Sequence, residues 1–405
     1  MFDIDKIKKD FPYLLQENAY VYLDTAATSL KPKSVIDSLN HFYKNEYATV
    51  HRGIYAPSKK ATIRYDETRN KLKSFINAKS SNEIVFTKGA TDSINLVALS
   101  FGKKNISQSD EIIIIETEHH SNIVPWQMLC KEKNAILKVA KVNENAEIDI
   151  DYFKTLLSDK TKLVCIAHMA NSTGIIHPVK EIIKEVRSKT SALVLVDGAQ
   201  AIAHQKVDVQ DLDSDFYVFS SHKMYGPTGV GVLYAKEDIL EMMPPIQGGG
   251  DMIETVSFNQ ETTYQKAPLK FEAGTPNIAA IIAFKDAMDY LETIGMDNIY
   301  KREKELLNYA TSKLKEIKNL KIIGDSKNKG SVISFIIKDL HPMDVATFLD
   351  MKKIAIRTGH HCAQPTMQRF NVESTLRISF GIYTTFEDID YFINSLKEVI
   401  AKLST

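Results

Sequence analysis

The sequence has little of what marks secreted, membrane-spanning or nucleic-acid-binding proteins. Only three of its 405 residues are cysteines, an odd number too small for a disulfide framework. Acidic and basic side chains balance at 51 each, so no electrostatic footprint for nucleic acid or an anionic membrane is expected. The most apolar run, Ile112 to Ile115, is far too short to span a bilayer. Since the first residues also lack a signal-peptide pattern, we expect a cytoplasmic protein.

The pattern that is present predicts an α/β architecture. Apolar strands of about five residues alternate with helical segments between residues 83 and 235, which is typical of a mostly parallel sheet covered by helices. The segment 231–234 follows a glycine-containing loop and is a candidate antiparallel strand. From about residue 278, longer helical patterns precede short strands, as in a smaller α+β domain. We expect a large domain at 21–280 and a small one built from 1–20 and 281–405.

Two polar residues follow neighbouring apolar strands. Asp197 ends one strand and Lys223 follows the next, 26 residues later, which is one strand–helix–strand unit. In open α/β sheets, ligands bind beyond the carboxyl ends of the strands, so both side chains are expected in one crevice. A lysine there can form a Schiff base with pyridoxal phosphate while an aspartate pairs with the pyridinium nitrogen. Capping of the next helix by Asp197, and a surface position for Lys223, are the simpler alternatives.

A phosphate site is indicated between the strand that ends at Thr87 and the next helix. Gly89 allows a tight turn, and free backbone N–H groups at a helix start can hold a phosphate. An ordinary strand-to-helix connection capped by Thr91 or Asp92 explains this segment equally well. The phosphate interpretation therefore depends on Ser220 and His222, which lie beside Lys223 and can donate further hydrogen bonds.

Histidine pairs occur at 119–120 and at 360–361, the second followed by Cys362. A histidine after an apolar strand can stack on a planar cofactor ring and carry protons. The alternative is a zinc site shared by the two pairs. Because adjacent histidines point apart and the usual ligand spacing is missing, we predict no metal site.

Sequence context separates the three cysteines. Cys165 lies inside an apolar strand and Cys130 follows apolar helical residues, so both are expected in the core. Cys362 lies in a polar stretch without helical period, which predicts an exposed loop where Arg357 and the histidines favour the nucleophilic thiolate. Arg377 alternates with apolar residues on a strand and suits bidentate binding of an amino-acid carboxylate, although a surface charge is the simpler reading.

Seven motifs occur in order along nearly the whole chain. They are YLDTAA at 22–27, VHRG at 50–53, EHHSN at 118–122, DGAQ at 197–200, SSHK at 220–223, FEAGTP at 271–276 and RTGHHC at 357–362. With them the chain resembles the class V aminotransferase-like, fold-type I pyridoxal-phosphate enzymes, and within these the cysteine desulfurases of the SufS type. The resemblance implies a seven-stranded, mostly parallel sheet in the large domain and a smaller α+β domain that carries the cysteine loop.

The resemblance also implies a role for each matching residue. The catalytic residues would be Lys223, His120 and Cys362. The cofactor pyridoxal 5'-phosphate would be bound by Ala90, Thr91, His120, Asn171, Asp197, Gln200, Ser220, His222, Lys223, Gly274 and Thr275. The substrate would be bound by Ala26, Asn171, Arg357 and Arg377.

The implied reaction converts L-cysteine to L-alanine and leaves the sulfur on Cys362 as a persulfide for iron–sulfur cluster assembly. Gly274 and Thr275 would reach the cofactor phosphate of a partner subunit, which implies a homodimer with shared active sites. The sulfur acceptor would be a SufE- or SufU-like protein. Three other functions stay open at this point: a selenocysteine lyase, an ordinary aminotransferase and a non-catalytic binding module.

Overall fold

A computed structural model describes residues 2–404. Its strands are β1 Val21–Tyr22, β2 Ile84–Thr87, β3 Glu111–Ile115, β4 Ile136–Ala140, β5 Thr161–Ala167, β6 Leu193–Asp197, β7 Phe216–Ser220, β8 Gly231–Ala235, β9 Ile253–Thr255, β10 Thr263–Tyr264, β11 Leu320–Ile323, β12 Val332–Ile337, β13 Ile354–Ala355, β14 Arg357–Gly359 and β15 Thr375–Ser379. Its α-helices are α1 Ile4–Lys9, α2 Lys33–His41, α3 Ala56–Phe75, α4 Ala90–Val97, α5 Lys103–Asn105, α6 Val124–Lys133, α7 Ile150–Leu156, α8 Val179–Lys189, α9 Val209–Leu212, α10 Glu237–Met242, α11 Ile278–Ile294, α12 Met296–Lys315, α13 Pro342–Asp350, α14 Gln364–Arg369 and α15 Phe386–Leu403.

A seven-stranded sheet forms the centre of the large domain. Its strand order is β2-β8-β7-β6-β5-β3-β4. The neighbours from β7 to β4 run parallel, whereas β8 is antiparallel to both β7 and β2. The predicted α/β class, the mostly parallel sheet and the antiparallel strand at 231–234 are therefore confirmed.

Alternating side chains of β3 explain why the strand is apolar throughout. Ile113 and Ile115 enter one hydrophobic core, on the side where α3, α8 and α11 pack. Ile112 and Ile114 enter a second core, on the side of α4 and α6. Both faces of the sheet are thus covered by helices, and polar side chains can collect only at the strand ends.

A four-stranded antiparallel sheet in the order β11-β12-β15-β14 forms the smaller domain, with α12, α13 and α15 around its core. β1 pairs in parallel with β13, and Asp24 forms a bridge with Ser379 at the end of β15. The chain between β1 and α2 therefore lies against both sheets. This contact places the carboxyl end of β15 beside the large sheet.

The first residues contact the large domain as well. Ile7 of α1 and the following Phe11 are buried in the same core as α3 and α11. The division of the chain into 21–280 and 1–20 with 281–405 stays a prediction. Among residues 2–404, every helix is too short or too polar to cross a bilayer.

Candidate active site

The carboxyl ends of the parallel strands open into a cleft of about 220 Å³ between the two sheets. Most of the predicted site residues line this cleft. They are Ala26, Ala90, Thr91, Asn171, Asp197, Gln200, Ser220, His222, Lys223, Arg357 and Arg377. The fold therefore gathers side chains that are separated by up to 351 residues in the sequence.

Lys223 lies in a short 3₁₀ turn directly after β7. Burial lowers the pKa of its amine to about 8, although the carboxylate of Asp197 acts in the opposite direction. A lowered pKa increases the fraction of free amine near neutral pH, and the free amine is the form that condenses with a carbonyl group. Lys223 is therefore suited to form a Schiff base.

Asp197 is the last residue of β6 and is almost completely buried. Its Oδ1 accepts a hydrogen bond of 2.9 Å from the backbone N–H of Ala199. Burial raises the pKa of the carboxyl group, while that N–H and Lys223 lower it. Among residues 2–404, no side chain donates to the second carboxylate oxygen, so this oxygen can accept a hydrogen bond from a protonated ring nitrogen.

The start of α4 forms the third wall of the cleft. Gly89 is the N-cap residue of α4, so the helix has no side-chain cap. The N–H of Ala90 donates to Oγ of Ser220 at 2.8 Å. Gly231 on β8 has to be glycine, because a Cβ there would lie 2.4 Å from Gly89 Cα. The N–H of Ala90 is engaged by Ser220, so the N–H groups of Thr91 and Asp92 are the ones left for a phosphate at this end of α4.

His222 completes this wall. Its Nδ1 lies 3.2 Å from Oγ1 of Thr28, so Nε2 is the ring nitrogen left for a ligand. Burial lowers the pKa of His222 to about 4 and keeps the ring neutral.

Two arginines lie side by side on the small sheet. Arg357 of β14 is the register partner of Arg377 of β15, so two positive charges face the cleft. Arg377 donates through Nη2 to Asp24 and through Nη1 to the carbonyl of Asn171, both at 3.1 Å. Its Nε has no hydrogen-bond partner. Asp24 forms an ion pair with Arg377 alone, and within the described residues Arg357 has no carboxylate within 4.0 Å, which leaves room for a carboxylate ligand.

The position of these arginines corrects two sequence-based expectations. Arg377 is 1% exposed, so the surface alternative is wrong. Arg357 is part of a strand, not of the loop that the polar composition had predicted, because β14 pairs with β15 on one side. Asn171, next to Arg377, has a buried Oδ1 without a partner, while its amide nitrogen donates to the carbonyl of His361 at 2.6 Å.

The loop of Cys362 borders the cleft through His361, whereas Cys362 itself does not line it. His361 and Cys362 both have left-handed backbone conformations, with φ of 52° and 55°. His361 Nε2 is bonded to Oγ1 of Thr375 at 2.8 Å, and the carbonyl of Cys362 accepts from the N–H of His120 at 2.7 Å. These bonds hold an unusual turn in one shape, and the Cys362 thiol stays partly exposed. Cys130 and Cys165 are buried, as predicted.

The two histidines of the EHHSN motif have different surroundings. His119 lines the cleft, and its Nδ1 accepts the N–H of Ser121 at 3.1 Å, so the proton of the neutral ring lies on Nε2. Burial, followed by Lys223, lowers the pKa of His119 to about 3. His120 does not line this cleft; its Nε2 accepts the N–H of Gln364 at 3.1 Å beside the cysteine loop. Sequence reasoning had selected His120 and had passed over His119.

Four predicted site residues do not line the cleft: His120 and Cys362, which lie in or beside the cysteine loop, and Gly274 and Thr275. Gly274 and Thr275 line a separate surface cavity together with Phe86, Thr87 and Lys88. Glu272 anchors this segment to the buried Arg69 by two hydrogen bonds of 2.8 Å. Within the described chain, no group of three or more His, Cys, Asp or Glu is arranged to hold a metal ion.

Sequence reasoning also missed residues that support the cleft. Asp24 forms an ion pair with Arg377. Asp24 lies inside the YLDTAA motif, so the motif could have identified it. Lys31 donates to the carbonyl of His222 at 2.8 Å, and no pattern in the sequence points to it. Its role depends on a contact across 191 residues.

Comparison with known proteins identifies the family. The model of the aminotransferase class-V family matches residues 21–392. The chain belongs to the aminotransferase class-V family, among its cysteine desulfurases. A cysteine desulfurase of Enterobacter sp. (strain 638) is 46% identical over 401 residues, which cover 98% of each chain.

Solved structures of this family share the fold over the full length. The cysteine desulfurase CsdA from Escherichia coli has a TM-score of 0.92 at 36% identity and covers 99% of both chains. A cysteine desulfurase from Thermococcus onnurineus NA1 has a TM-score of 0.94 at 36% identity, with 98% of both chains covered. The predicted family, fold class and enzyme class are therefore confirmed, and the family implies an enzyme that depends on pyridoxal phosphate.

Proposed function

We propose that this protein uses pyridoxal phosphate to convert L-cysteine to L-alanine and transfers the sulfur to Cys362 as a persulfide. One observation carries the proposal. A single cleft brings together Lys223, Asp197 and a pair of arginines, and the loop of Cys362 borders it. An ordinary aminotransferase needs no such cysteine, and a binding module needs none of these groups.

The residues of the cleft fit pyridoxal phosphate. Asp197 has a free carboxylate oxygen for the ring nitrogen, and the uncapped start of α4 provides donors for the phosphate. The buried Oδ1 of Asn171 lacks a partner within the protein. We assign Thr91, Ser220 and His222 to the phosphate, and Gln200 and His119, which line the cleft, to the ring. His120, which the sequence had suggested for the ring, is assigned to the cysteine loop, where its Nε2 accepts the N–H of Gln364. When bound, the cofactor supplies an electron sink that weakens bonds at the substrate's Cα and Cβ.

Binding of the substrate is assigned to the arginines. Arg377 and Arg357 hold the carboxylate of cysteine, and the two-pronged geometry of Arg377 fixes the direction of the substrate Cα. Ala26 and Asn171 border the same space. Because Asp24 already neutralises part of the positive charge, the site favours a substrate with one carboxylate over a dicarboxylate.

Proton transfer is assigned to Lys223. Its lowered pKa of about 8 allows the amine to accept the Cα proton and later to return a proton to carbon. His119, kept neutral by burial, presents an Nε2–H to the same space and can donate a hydrogen bond there. The burial that lowers both pKa values thus produces a base and a neutral donor side by side.

Cys362 is the proposed nucleophile. Its thiolate attacks the sulfur atom of the substrate, so that a sulfur–sulfur bond forms and the substrate's carbon–sulfur bond breaks. The electron pair of the broken bond stays with the carbon and is protonated, which gives alanine. The persulfide on Cys362 then passes to a SufE- or SufU-like acceptor protein for iron–sulfur cluster assembly.

We also propose a cytoplasmic homodimer with shared active sites. Gly274 and Thr275 lie on a cavity outside the cleft of their own chain, where they can reach a phosphate held by a partner subunit. Three large apolar side chains close to the VHRG motif in the sequence are exposed, namely Tyr47, Ile54 and Tyr55. A partner subunit could cover them. The two-domain division at 21–280 and 281–405 with 1–20 belongs to the same proposal.

The Cys362→Ala variant tests the chemistry. We expect it to retain the visible absorbance of bound cofactor but to lose alanine formation from cysteine by at least a hundredfold. Alkylation and mass measurement after incubation with cysteine should detect a persulfide on Cys362 only in proteins that keep this residue. Cys130→Ala, which removes a buried thiol, is the matched control and should keep both alanine formation and the persulfide on Cys362.

Normal desulfuration by Cys362→Ala would contradict the persulfide role. Assay of the same variant with selenocysteine separates the alternative, because a selenocysteine lyase would keep its activity without the thiol. Loss of activity with both substrates supports the cysteine desulfurase.

A further inference from the structure

A second, larger pocket lies between the domain of the seven-stranded sheet and the domain of the four-stranded sheet. None of the residues assigned to the proposed reaction lines it. Its cavity has a volume of about 520 Å³. The large domain contributes the turn before α8, from Ile175 to Pro178, Glu181 of α8 itself, and Gln205. The small domain contributes Tyr300 and Lys304 of α12 and the β11–β12 loop at 327–329. We call it the interdomain pocket.

Three lysines line the interdomain pocket without a counter-ion. Within the described residues, none of Lys304, Lys327 and Lys329 lies within 4.0 Å of a carboxylate oxygen. Lys304 and Lys329 donate only to backbone carbonyls, at 2.7 Å to Lys327 and 2.8 Å to Gly324. Lysines are costly to bury, and burial lowers the pKa of Lys329 to about 7. An anion in the pocket would remove this cost.

The start of α8 adds backbone donors to the same pocket. Pro178 occupies the N-cap and cannot cap the helix with a side chain. The N–H of Val179 donates to the carbonyl of His177 at 2.9 Å, so the N–H groups of Lys180 and Glu181 are the ones left for a ligand. These groups and the helix dipole favour an anion. His177, 2% exposed, lines the pocket as well, and its Nδ1 has no hydrogen-bond partner. A buried ring nitrogen without a partner indicates that a ligand belongs there.

Two carboxylates also line the pocket. Glu147 is engaged, since it accepts hydrogen bonds from Ser326 at 2.5 Å and from Asn143 at 3.2 Å. Glu181 is exposed on the first turn of α8. Asp325 adds a negative charge near Lys329, whose amine is partly neutral near pH 7. An anion with several acceptor oxygens can still accept from Lys304, Lys327 and the two N–H groups left at the start of α8, and it would favour the charged form of Lys329.

We propose that the interdomain pocket binds a phosphate group, either inorganic phosphate or the phosphate of a small metabolite, and that this ligand regulates the active site. The tetrahedral group has enough oxygens to accept from the lysines and the start of α8 together. Because the lysines and α8 belong to different domains, the ligand joins the two domains.

A short segment connects this pocket to the substrate site. The N–H of Ile176 donates to Asn328 at 2.9 Å, and the N–H of Gly330 donates to Gly174 at 2.8 Å. Gly174 has to be glycine here, since its φ is +79° and a Cβ would lie 2.5 Å from the carbonyl of Val332. Five residues before Ile176, the carbonyl of Asn171 accepts from Arg377. Anchoring the β11–β12 loop should therefore change the affinity for the substrate carboxylate, an effect that rests on the proposed function.

Calorimetric titration of the holoenzyme with inorganic phosphate tests binding without any assay of activity. Bound cofactor already fills the phosphate site of the cleft, so a saturable heat reports a second site. The variant Lys304→Gln/Lys327→Gln should weaken phosphate binding at least tenfold. Lys301→Gln removes the same charge from an exposed position on α12 and should bind as the unaltered protein does. Lys327→Gln alone, on an exposed loop, should weaken binding about threefold if the double variant does not fold.

The source and the consequence are measured on the same proteins. Tighter binding of glycerol 3-phosphate than of inorganic phosphate identifies a phosphorylated metabolite, whereas equal binding identifies phosphate itself. Saturating phosphate should change KM for cysteine at least twofold in the unaltered enzyme and leave it constant in the double variant. No saturable heat, or equal heats in the double variant, would overturn the site. Binding without a change in KM would overturn the regulation alone and leave the proposed function intact.

Discussion

At the scale of single residues, the carbonyl oxygen of His222 shows how one atom organises the catalytic turn. It accepts hydrogen bonds from both the N–H and the hydroxyl of Ser29, and from Lys31. The next residue is the reactive Lys223. Lys31 is the charged donor of the set, and burial lowers its pKa to about 7 because no carboxylate compensates it. We infer that burial of Lys31 is retained because its hydrogen bond to the carbonyl of His222 holds the turn that carries Lys223.

We therefore expect Lys31→Met to bind pyridoxal phosphate about tenfold more weakly, since a charge-assisted hydrogen bond contributes about 1.5–3 kcal/mol. Absorbance titration of the apoenzyme measures this affinity. Lys31→Arg should recover part of the loss. Lys33→Met, which removes an exposed lysine from the same segment, is the matched control. Unchanged affinity in Lys31→Met would show that Lys31 does not position the turn.

At the scale of secondary structure elements, Glu272 joins three parts of the large domain. It accepts two hydrogen bonds from Arg69 of α3, one of 2.8 Å from the N–H of Phe86 on β2, and one of 3.2 Å from Tyr65. The loop that follows carries Gly274 and Thr275. The sequence motif FEAGTP marked this segment, but only the packing of α3 against β2 gives the glutamate its function.

Glu272→Ala should reduce the free energy of unfolding by about 3–5 kcal/mol, because it leaves the buried guanidinium of Arg69 without its partner. Urea unfolding measures this loss. The matched control is Glu292→Ala, which removes an exposed partner of Lys71 and should cost no more than about 1 kcal/mol. Equal losses in both variants would contradict the role of Glu272.

Element boundaries show where local pattern fails. The sequence of residues 93–101 taken alone predicts a helix over that range, whereas α4 begins at Ala90 and gives way to a π-helical segment at Ala98–Gly102. The earlier start depends on Gly89, which packs against Gly231 on β8. Contacts between segments that are distant in sequence set this boundary, so no window of neighbouring residues contains the information.

At the scale of the whole molecule, the proposed dimer makes a specific prediction. Thr275→Asp places a negative charge beside the expected phosphate, and Lys223→Ala removes the reactive amine, so each variant alone should be inactive. If Thr275 serves the partner's site, a heterodimer of the two variants contains one intact site. Co-expressed and purified heterodimer should then recover about half of the normal activity per dimer. No recovery would place Thr275 in the site of its own chain.

Buried histidines make the stability of the molecule depend on pH. Burial lowers the pKa values of His168 and His177 to about 4 in the folded protein, below the value near 6.5 of the unfolded chain. The unfolded state therefore binds more protons between these values. Stability is complete above about pH 6.5 and is lost as the pH falls toward 4.

His177→Asn should reduce this pH dependence by about 1.4 kcal/mol per pH unit between pH 6 and 4. Urea unfolding in phosphate-free buffers at several pH values measures the slope. His341→Asn, at an exposed helix start that asparagine can also cap, should leave the slope unchanged. A slope identical in both variants would contradict the assignment to His177.

The sequence by itself determined the α/β class and, through seven ordered motifs, the family, and it selected Lys223, Asp197, Arg377 and Cys362 as candidate site residues. Apolar strand patterns and short motifs suffice for these, because each is carried by neighbouring residues. The sequence also separated one exposed cysteine from two buried ones. The tertiary structure alone decided that His119 lines the cleft, that Arg357 belongs to a strand, and that Lys31 holds the turn before Lys223. Each of these depends on contacts between distant segments, and their energies arise only when the chain is packed.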